Sequence, residues 1–139
     1  VHEVAEVGIA PAGWTMQEGK HVILIVDDDP DVRDVIGLVL AKHSYLVVGA
    51  ENARQGLQKY KETQPDLIIV DLIMEEVDSG TNLVNELQAL GNTAPVYLLS
   101  SVGDGLSMTA DHSDLGVAGI LQKPLLPGTL LSLVRAKLT

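Results

Sequence analysis

Five short apolar runs alternate with segments of helical periodicity, and this order constrains the fold of the 139-residue chain more than any other feature. The runs are rich in β-branched residues and lack polar alternation, which is typical of strands covered on both faces. Strands that alternate with helices predict an α/β fold, a doubly wound parallel sheet between two helical layers with right-handed crossovers. The runs are residues 21–26, 45–50, 66–70, 95–99 and 117–121.

The segments between these runs carry the signals that start and stop helices. Asp29 is the predicted N-cap of a first helix, with Pro30 at its first position, and the helix is expected to end near His43. Asn52 is the predicted start of a second helix, and Gly91 is a predicted cap after a third. A short helix is the expectation within 102–116. Apolar residues at helical spacing are Val32, Val35, Ile36, Val39 and Leu40; Ala53, Leu57 and Tyr60; Leu83, Val84, Leu87 and Leu90; Leu106, Met108 and Ala110; Leu130, Leu131, Val134 and Leu138.

The charge balance excludes several classes of function. Nine Lys and Arg stand against nineteen Asp and Glu, so the net charge is −10, and a nucleic-acid partner would need a basic surface instead. The chain has no cysteine, which excludes a disulfide framework and a thiolate metal site. No apolar stretch is long enough for a membrane span and no secretory signal is visible, so we expect no membrane partner and a cytoplasmic location. Residues 1–20 are predicted to be a tail or linker, and 21–139 a single domain.

Polar residues stand where four of the predicted strands end. Asp27, Asp28 and Asp29 follow the first strand, and Asp71 follows the third. Ser100 and Ser101 follow the fourth strand, and Lys123 comes after the fifth. Ligands of open α/β sheets bind at the carboxyl ends of the strands, so these side chains are predicted to meet at one edge. Each of them alone has an ordinary reading as a cap, a turn or a surface residue, and only their joint occurrence indicates a site.

The chemistry of this edge favours a hard cation and phosphoryl transfer. Clustered carboxylates repel one another, and a small set of oxygen ligands that leaves room for water suits Mg²⁺. A carboxylate can also attack phosphorus to form an acyl phosphate. The transferred group then needs counter-charge and a hydroxyl donor, which Mg²⁺, Lys123 and Ser100 can supply.

Four segments together resemble the receiver domain of two-component response regulators, over roughly residues 21–138. The segments, in chain order, are Val-Asp-Asp-Asp-Pro at 26–30, Asp-Leu-Ile-Ile-Val-Asp-Leu-Ile-Met at 66–74, Pro-Val-Tyr-Leu-Leu-Ser-Ser at 95–101 and Lys-Pro at 123–124. The resemblance implies a five-stranded, CheY-like and flavodoxin-like fold with strand order 2-1-3-4-5. It also implies Mg²⁺-dependent phosphorylation of an aspartate by a sensor histidine kinase or a phosphotransfer protein, and an effector or output domain that the sequence does not identify.

The resemblance also assigns roles to single residues. It implies that Asp71 is the phosphoacceptor, and that Asp27, Asp28, Asp71 and the backbone carbonyl of Ile73 hold Mg²⁺, Asp28 more directly than Asp27. Ser100 takes the position of the hydroxyl that moves toward the phosphoryl group. Lys123 pairs with a phosphoryl oxygen, and the bond from Lys123 to Pro124 is expected to be cis. The domain would catalyse only its own phosphorylation and dephosphorylation and is not otherwise an enzyme.

Several positions depart from the family pattern. Glu75 stands where proline is frequent, Ser79 separates Asp78 from Gly80, and Ser101 replaces a small residue. Ile120 stands where many receivers carry the Tyr or Phe that rotates inward on phosphorylation, so a muted or different conformational output is predicted. Two positions that tune dephosphorylation in the family are apolar, and slow hydrolysis of the acyl phosphate is predicted. They are Ile73 and Val102.

Three alternatives stay open. The first is a Mg²⁺-dependent phosphohydrolase with an aspartate nucleophile, because Asp27 and Asp29 formally fit its Asp-x-Asp motif. The second is a nucleotide- or flavin-binding module, although aspartates stand where its glycine-rich phosphate loop would lie. The third is an interaction domain that works without phosphorylation and retains the acidic site as a remnant.

Overall fold

A parallel sheet with helices on both faces forms the molecule, as the alternation of strands and helices predicts. The computed structural model describes residues 16–17, 20–72, 79–101 and 117–138. The strands are β1 (Met16–Gln17), β2 (Lys20–Val26), β3 (Leu46–Ala50), β4 (Leu67–Asp71), β5 (Val96–Ser100) and β6 (Gly119–Gln122). The last five run parallel, and their order across the sheet is β3-β2-β4-β5-β6. This is the order 2-1-3-4-5 when these five strands are counted along the chain. The helices are α1 (Pro30–Ala41), α2 (Ala53–Thr63), α3 (Ser79–Ala89) and α4 (Pro127–Leu138).

The strand β1 is absent from the sequence-based prediction. It pairs antiparallel with the start of β2, with Met16 opposite His21 and Gln17 opposite Lys20. Two residues are too few to show a period in the sequence, and only the pairing with β2 defines them as a strand. The described residues of the predicted tail over 1–20 therefore belong to β1 and to the start of β2, while the proposed boundary at residue 21 stays a prediction.

The apolar strands bury side chains on both faces, as their sequences indicate. Along β2, Leu24 lies in one core with residues of β4, α3 and β5, whereas Ile23 and Ile25 lie in a second core with residues of α1 and α4. All three side chains are fully buried. The alternation follows from the two-residue period of a strand. Because both faces are covered, β2 carries no polar residue from Val22 to Val26, and Asp27 is the first polar residue after it.

The helix signals are largely confirmed, with local differences at the ends. The side chain of Asp29 accepts a hydrogen bond from the amide of Asp31, and that of Asn52 accepts one from the amide of Gln55, so both are N-caps. Gly91 has a φ of 83°, the left-handed conformation expected just after a helix. The prediction for Leu90 is wrong: α3 ends at Ala89, and Leu90 is 49% exposed.

Other element boundaries shift by one or two residues. The first helix ends at Ala41 rather than near His43, and the fifth predicted strand begins at Gly119 rather than at Val117. The short helix expected within 102–116 lies outside the described residues. None of the helices that the structure describes combines the length and hydropathy needed to cross a membrane.

Gly56 is required by the close approach of α2 to β2. A Cβ at this position would lie 2.8 Å from Val26 Cγ2 and 3.2 Å from Leu83 Cδ2. We expect Gly56→Ala to lower the free energy of unfolding by about 1–3 kcal/mol, because overpacking outweighs the helix propensity of alanine. Gly37→Ala in α1 is the control, since its Cβ would meet only Val47 at 4.0 Å. Urea unfolding of both variants measures this, and a stabilised Gly56→Ala would contradict it.

Candidate functional site

Four of the predicted site residues meet at the carboxyl edge of the sheet. Asp27 directly follows β2, Asp71 is the last residue of β4, Ser100 is the last residue of β5, and Lys123 directly follows β6. The register explains the convergence, because Asp71 lies opposite Leu99 and Ser100 lies opposite Gln122. The parallel strands thus end at the same level, and the residue after each run enters a common space.

A lysine bridges the two buried carboxylates of this edge. Asp27 is fully buried and Asp71 is 4% exposed. Lys123 Nζ lies 3.1 Å from Asp27 Oδ2 and donates a hydrogen bond to Asp71 Oδ2 at 3.2 Å. The contact with Asp27 is an ion pair without hydrogen-bond geometry, which leaves the buried Oδ2 atom of Asp27 without a hydrogen bond. Buried charges persist only when they are paired, so this lysine is the counter-charge of both carboxylates.

Asp28 adds an exposed carboxylate to the buried pair. Asp27, Asp28 and Asp71 can place one oxygen each within 4.8 Å of one another. In the part of the chain that the structure describes, this is the only group of three or more such residues with the spacing of a metal site. Three carboxylate oxygens are the ligands that hard divalent cations prefer, and the exposed member gives an ion a path from solvent.

The loop that carries these aspartates is fixed by its own hydrogen bonds. The amide of Asp29 donates to Asp27 Oδ1 at 2.9 Å, and the amide of Asp27 donates to the carbonyl of Ala50 at 3.0 Å. One oxygen of Asp27 therefore orients the loop, while the other faces Lys123. The predicted cap and the predicted site share these residues, since Asp29 also caps α1.

Lys123 is held in its charged form by this environment. Burial alone would lower the pKa of Lys123, but the ion pairs with Asp27 and Asp71 outweigh it and raise the pKa above its ordinary value. The backbone of Lys123 is fixed as well, because its amide donates to the carbonyl of Ser100 at 2.8 Å. The peptide bond from Lys123 to Pro124 is cis, as the resemblance implies.

The raised pKa predicts a stability effect at alkaline pH. A group whose folded pKa is raised stabilises the fold below its unfolded pKa, about 10.4 for lysine, and loses that contribution as pH rises through the folded value. We expect the difference in unfolding free energy between the native chain and Lys123→Met to shrink between pH 9 and pH 12. Urea unfolding of both proteins at each pH measures it, and a constant difference would contradict the ion pairs.

Ser100 supplies a hydroxyl that is buried beside the carboxylates. It is 3% exposed, and its Oγ donates to the carbonyl of Ser101 over 3.4 Å. A bond of this length is weak, so the hydroxyl can exchange its acceptor at little cost. The side chain of Ser101, which the sequence suggested as an added polar group, is partly buried next to it.

Some predicted site features lie outside the described residues. They include the carbonyl of Ile73 as a metal ligand and the apolar position of Val102, as well as the loop with Glu75 and Asp78. The four carboxylates predicted at the strand ends, Asp27, Asp28, Asp29 and Asp71, are all among the described residues.

Arg33 contacts the site and was missed in the sequence. Its Nη1 donates to the backbone carbonyl of Asp27 over 2.6 Å, from the first turn of α1. The available signal was a single basic residue, six positions after Asp27, in the acidic segment 27–34. A polar residue at a helix start is too common to be singled out without the fold.

Comparison with known proteins shows which family this arrangement belongs to. The sequence profile of the response regulator receiver domain matches residues 23–135. The chain belongs to the response regulator receiver domain family. It is thus a CheY-like receiver domain of two-component systems. It is similar to the chemotaxis protein CheY of Bacillus subtilis, with 37% identity over 105 residues that cover 75% of this chain and 86% of that protein.

Solved receiver structures share the fold. A putative response regulator from Chloroflexus aurantiacus superposes with a TM-score of 0.73 at 31% identity, over 84% of this chain and 96% of that one. The chemotaxis response regulator CheY4 of Vibrio cholerae gives a TM-score of 0.74 at 27% identity, over 86% of this receiver domain and 99% of that chain.

Other relatives are much longer than the region they share with this receiver domain. The matched region spans 22% of the transcriptional regulatory protein GlrR of Escherichia coli, at 37% identity over 73% of this chain. It spans 28% of a protein-glutamate methylesterase/protein-glutamine glutaminase of Treponema denticola, at 35% identity over 73% of this chain. Receiver domains are therefore found in regulators and in enzymes.

Proposed function

We propose that this receiver domain accepts a phosphoryl group on Asp71 and uses Mg²⁺ to do so. The observation that supports the proposal most strongly is the pairing of Lys123, which follows β6, with both Asp27 and Asp71 at the carboxyl ends of β2 and β4. A buried carboxylate with a lysine at 3.2 Å has the counter-charge that an incoming phosphoryl group needs. The proposed donor is a sensor histidine kinase or a phosphotransfer protein, and the proposed location is the cytoplasm.

The described residues fit a divalent cation. Asp27 Oδ2 is fully buried without a hydrogen bond, and it belongs to the group of three carboxylates whose oxygens approach within 4.8 Å. Its partner is the Lys123 ammonium in an ion pair, and an anionic oxygen that has no hydrogen bond can also serve as a ligand of a divalent cation. Asp27, Asp28 and Asp71 would hold Mg²⁺, with the carbonyl of Ile73 as a further proposed ligand. When bound, the ion supplies positive charge that neutralises the phosphoryl oxygens.

The residues of the chain have distinct roles in the proposed transfer. A carboxylate oxygen of Asp71 forms the new bond to phosphorus, while the bond from phosphorus to the histidine nitrogen of the donor breaks. That nitrogen keeps the electron pair and gains a proton from solvent. Lys123 offsets the charge of the phosphoryl oxygens, and the Ser100 hydroxyl can donate to one of them in place of its weak bond to Ser101.

An apolar groove beside the site offers a surface for the donor protein. Residues of α1 and of the segment after β6 line it, and Lys123 belongs to both the groove and the carboxylate site. Val35 at the groove is 49% exposed. Because the donor histidine must reach Asp71, we propose that the donor protein covers this groove. Its lining residues are Asp31, Val32, Val35, Ile36, Leu99, Ser101, Lys123, Pro124 and Leu125.

Incubation with acetyl phosphate and Mg²⁺ tests the proposal. A receiver is expected to gain one phosphoryl group and to keep it for longer than seconds. A phosphohydrolase would instead turn over a small phosphomonoester repeatedly, and an interaction domain would gain no mass. Slow loss of the phosphoryl group remains the prediction from the apolar residues at positions 73 and 102.

Ile120 predicts a muted response of the surface formed by β6 and α4. Its side chain is partly buried against the core that contains Leu98, and it has no aromatic ring to rotate inward. We expect small backbone amide shifts over β6 and α4 when beryllium fluoride mimics the phosphoryl group, and larger shifts in Ile120→Tyr. NMR spectroscopy measures both, and a large rearrangement of this surface in the native chain would contradict the prediction.

A further inference from the structure

Arg33 makes an unusually short contact with the main chain of the acidic loop. Its Nη1 donates to the carbonyl oxygen of Asp27 over 2.6 Å, at the short end for hydrogen bonds from nitrogen. The donor is a guanidinium, which is always charged, and charge-assisted bonds are about twice as strong as neutral ones. Arg33 therefore restrains the residue that carries the buried carboxylate.

The end of the β2–β3 ladder explains why Asp27 accepts a bond from a side chain. The amide of Asp27 still donates to the carbonyl of Ala50, the last residue of β3. In a parallel ladder the next bond would run from the amide two residues further on to the carbonyl of Asp27. That residue is Asn52, which is already the N-cap of α2. The guanidinium of Arg33 takes the place of the missing strand donor.

Gly49 gives independent evidence that the Arg33 side chain takes a defined route across β3. A Cβ at position 49 would lie 3.4 Å from Arg33 Cδ and 3.8 Å from Arg33 Nε. The arginine stem therefore crosses β3 at its glycine. Glycine weakens a strand and is found where another group must approach closely. An alanine Cβ would make ordinary contact with the arginine stem at these distances, whereas a larger, branched side chain would compete with the stem for space.

The backbone of Arg33 restrains the other end of the same loop. Its amide donates to the carbonyl of Asp29 at 3.2 Å, while its side chain holds the carbonyl of Asp27. Asp28, the exposed carboxylate of the proposed metal site, lies between these two anchored residues. Resting on the proposed function, we propose that Arg33 is a positioning residue, which holds Asp27 and Asp28 in the arrangement that binds the divalent cation.

Titration with Mg²⁺ followed by calorimetry tests the inference without any phosphoryl transfer. We expect Arg33→Met to raise the Kd for Mg²⁺ by about 10-fold, as expected when a residue that orients the ligands is lost. In phosphorylation by acetyl phosphate, the Mg²⁺ concentration for half-maximal rate should rise by the same factor, with a smaller change at saturating Mg²⁺. Ile36→Val, in the core beneath the same helix, is a control for loss of stability alone and should leave the Kd unchanged.

Gly49→Val displaces the arginine without removing it. Valine favours strands, so the variant is expected to stay folded while its side chain blocks the path of Arg33. The Kd should rise as in Arg33→Met, and the double variant should show no further increase, because both act through one contact. Additive effects, or an unchanged Kd in Arg33→Met, would overturn the inference and leave the proposed function intact. No Mg²⁺ binding by the native chain would overturn both.

Discussion

Lys123→Met is expected to destabilise the metal-free protein and to slow phosphorylation at least a hundredfold. The substitution removes the charge that lies 3.1 Å from Asp27 Oδ2 and 3.2 Å from Asp71 Oδ2. Breaking a fully buried ion pair costs 3–5 kcal/mol, and because the Lys123 side chain is 21% exposed we expect roughly 2 kcal/mol. Thermal unfolding in EDTA should show a Tm lower by about 6–10 °C.

The rate effect has a separate cause. Lys123 supplies one of the charges that stabilise the transferred phosphoryl group, and loss of one such donor costs about 10²–10³ in rate. Intact mass spectrometry over time, with acetyl phosphate and Mg²⁺, measures that loss directly. Lys61→Met, which removes an exposed charge from α2, is the matched control. It should change neither the Tm nor the rate of phosphorylation.

Added Mg²⁺ distinguishes this explanation from a general loss of packing. A cation that binds the folded state stabilises it. Without Lys123 the carboxylates of Asp27 and Asp71 repel each other more strongly, so neutralising them stabilises the fold more. Mg²⁺ should therefore raise the Tm of Lys123→Met by more than it raises the Tm of the native chain. An equal or smaller rise in the variant, or a native-like phosphorylation rate, would contradict the role given to this lysine.

Much of the fold could be predicted because its signals are local. The run of residues 22–26 has no polar member, and a strand of this kind is stable only between two helical layers. Asp29 followed by Pro30 marks a helix start by the chemistry of two residues alone. The site followed from the same reasoning, since residues placed after Val26, Val70 and Leu99 must share an edge when the strands are parallel.

The features that were missed depend on contacts between distant parts of the chain. Gly49 in a strand and Gly56 in a helix look unfavourable in the sequence. The side chain of Val26 leaves no room for a Cβ at Gly56, and the stem of Arg33 lies next to Gly49. Leu90 fits the apolar spacing of α3 but lies just beyond its end. Strand β1 exists only because Lys20 and His21 pair with it. Local patterns carry no information on such approaches, which the packing of the elements decides.

Phosphorylation of Asp71 is the central claim, and Asp71→Asn is the variant that addresses it. The asparagine amide has nearly the same shape but is not a nucleophile toward phosphorus, so the variant should fold and gain nothing. Loss of one buried charge beside Lys123 is expected to leave the strand pairing of Asp71 with Leu99 in place. Asp28→Asn is the matched control, because it alters the metal site and leaves the acceptor intact.

The intact mass after incubation with acetyl phosphate and Mg²⁺ tests this claim most directly. We predict a gain of about 80 Da, one phosphoryl group, for the native chain and the same gain at a slower rate for Asp28→Asn. Asp71→Asn should gain no mass. Phosphorylation of the native chain should be lost when EDTA removes the metal. A native chain that gains no mass, or an Asp71→Asn variant that gains as much as the native chain, would contradict the account.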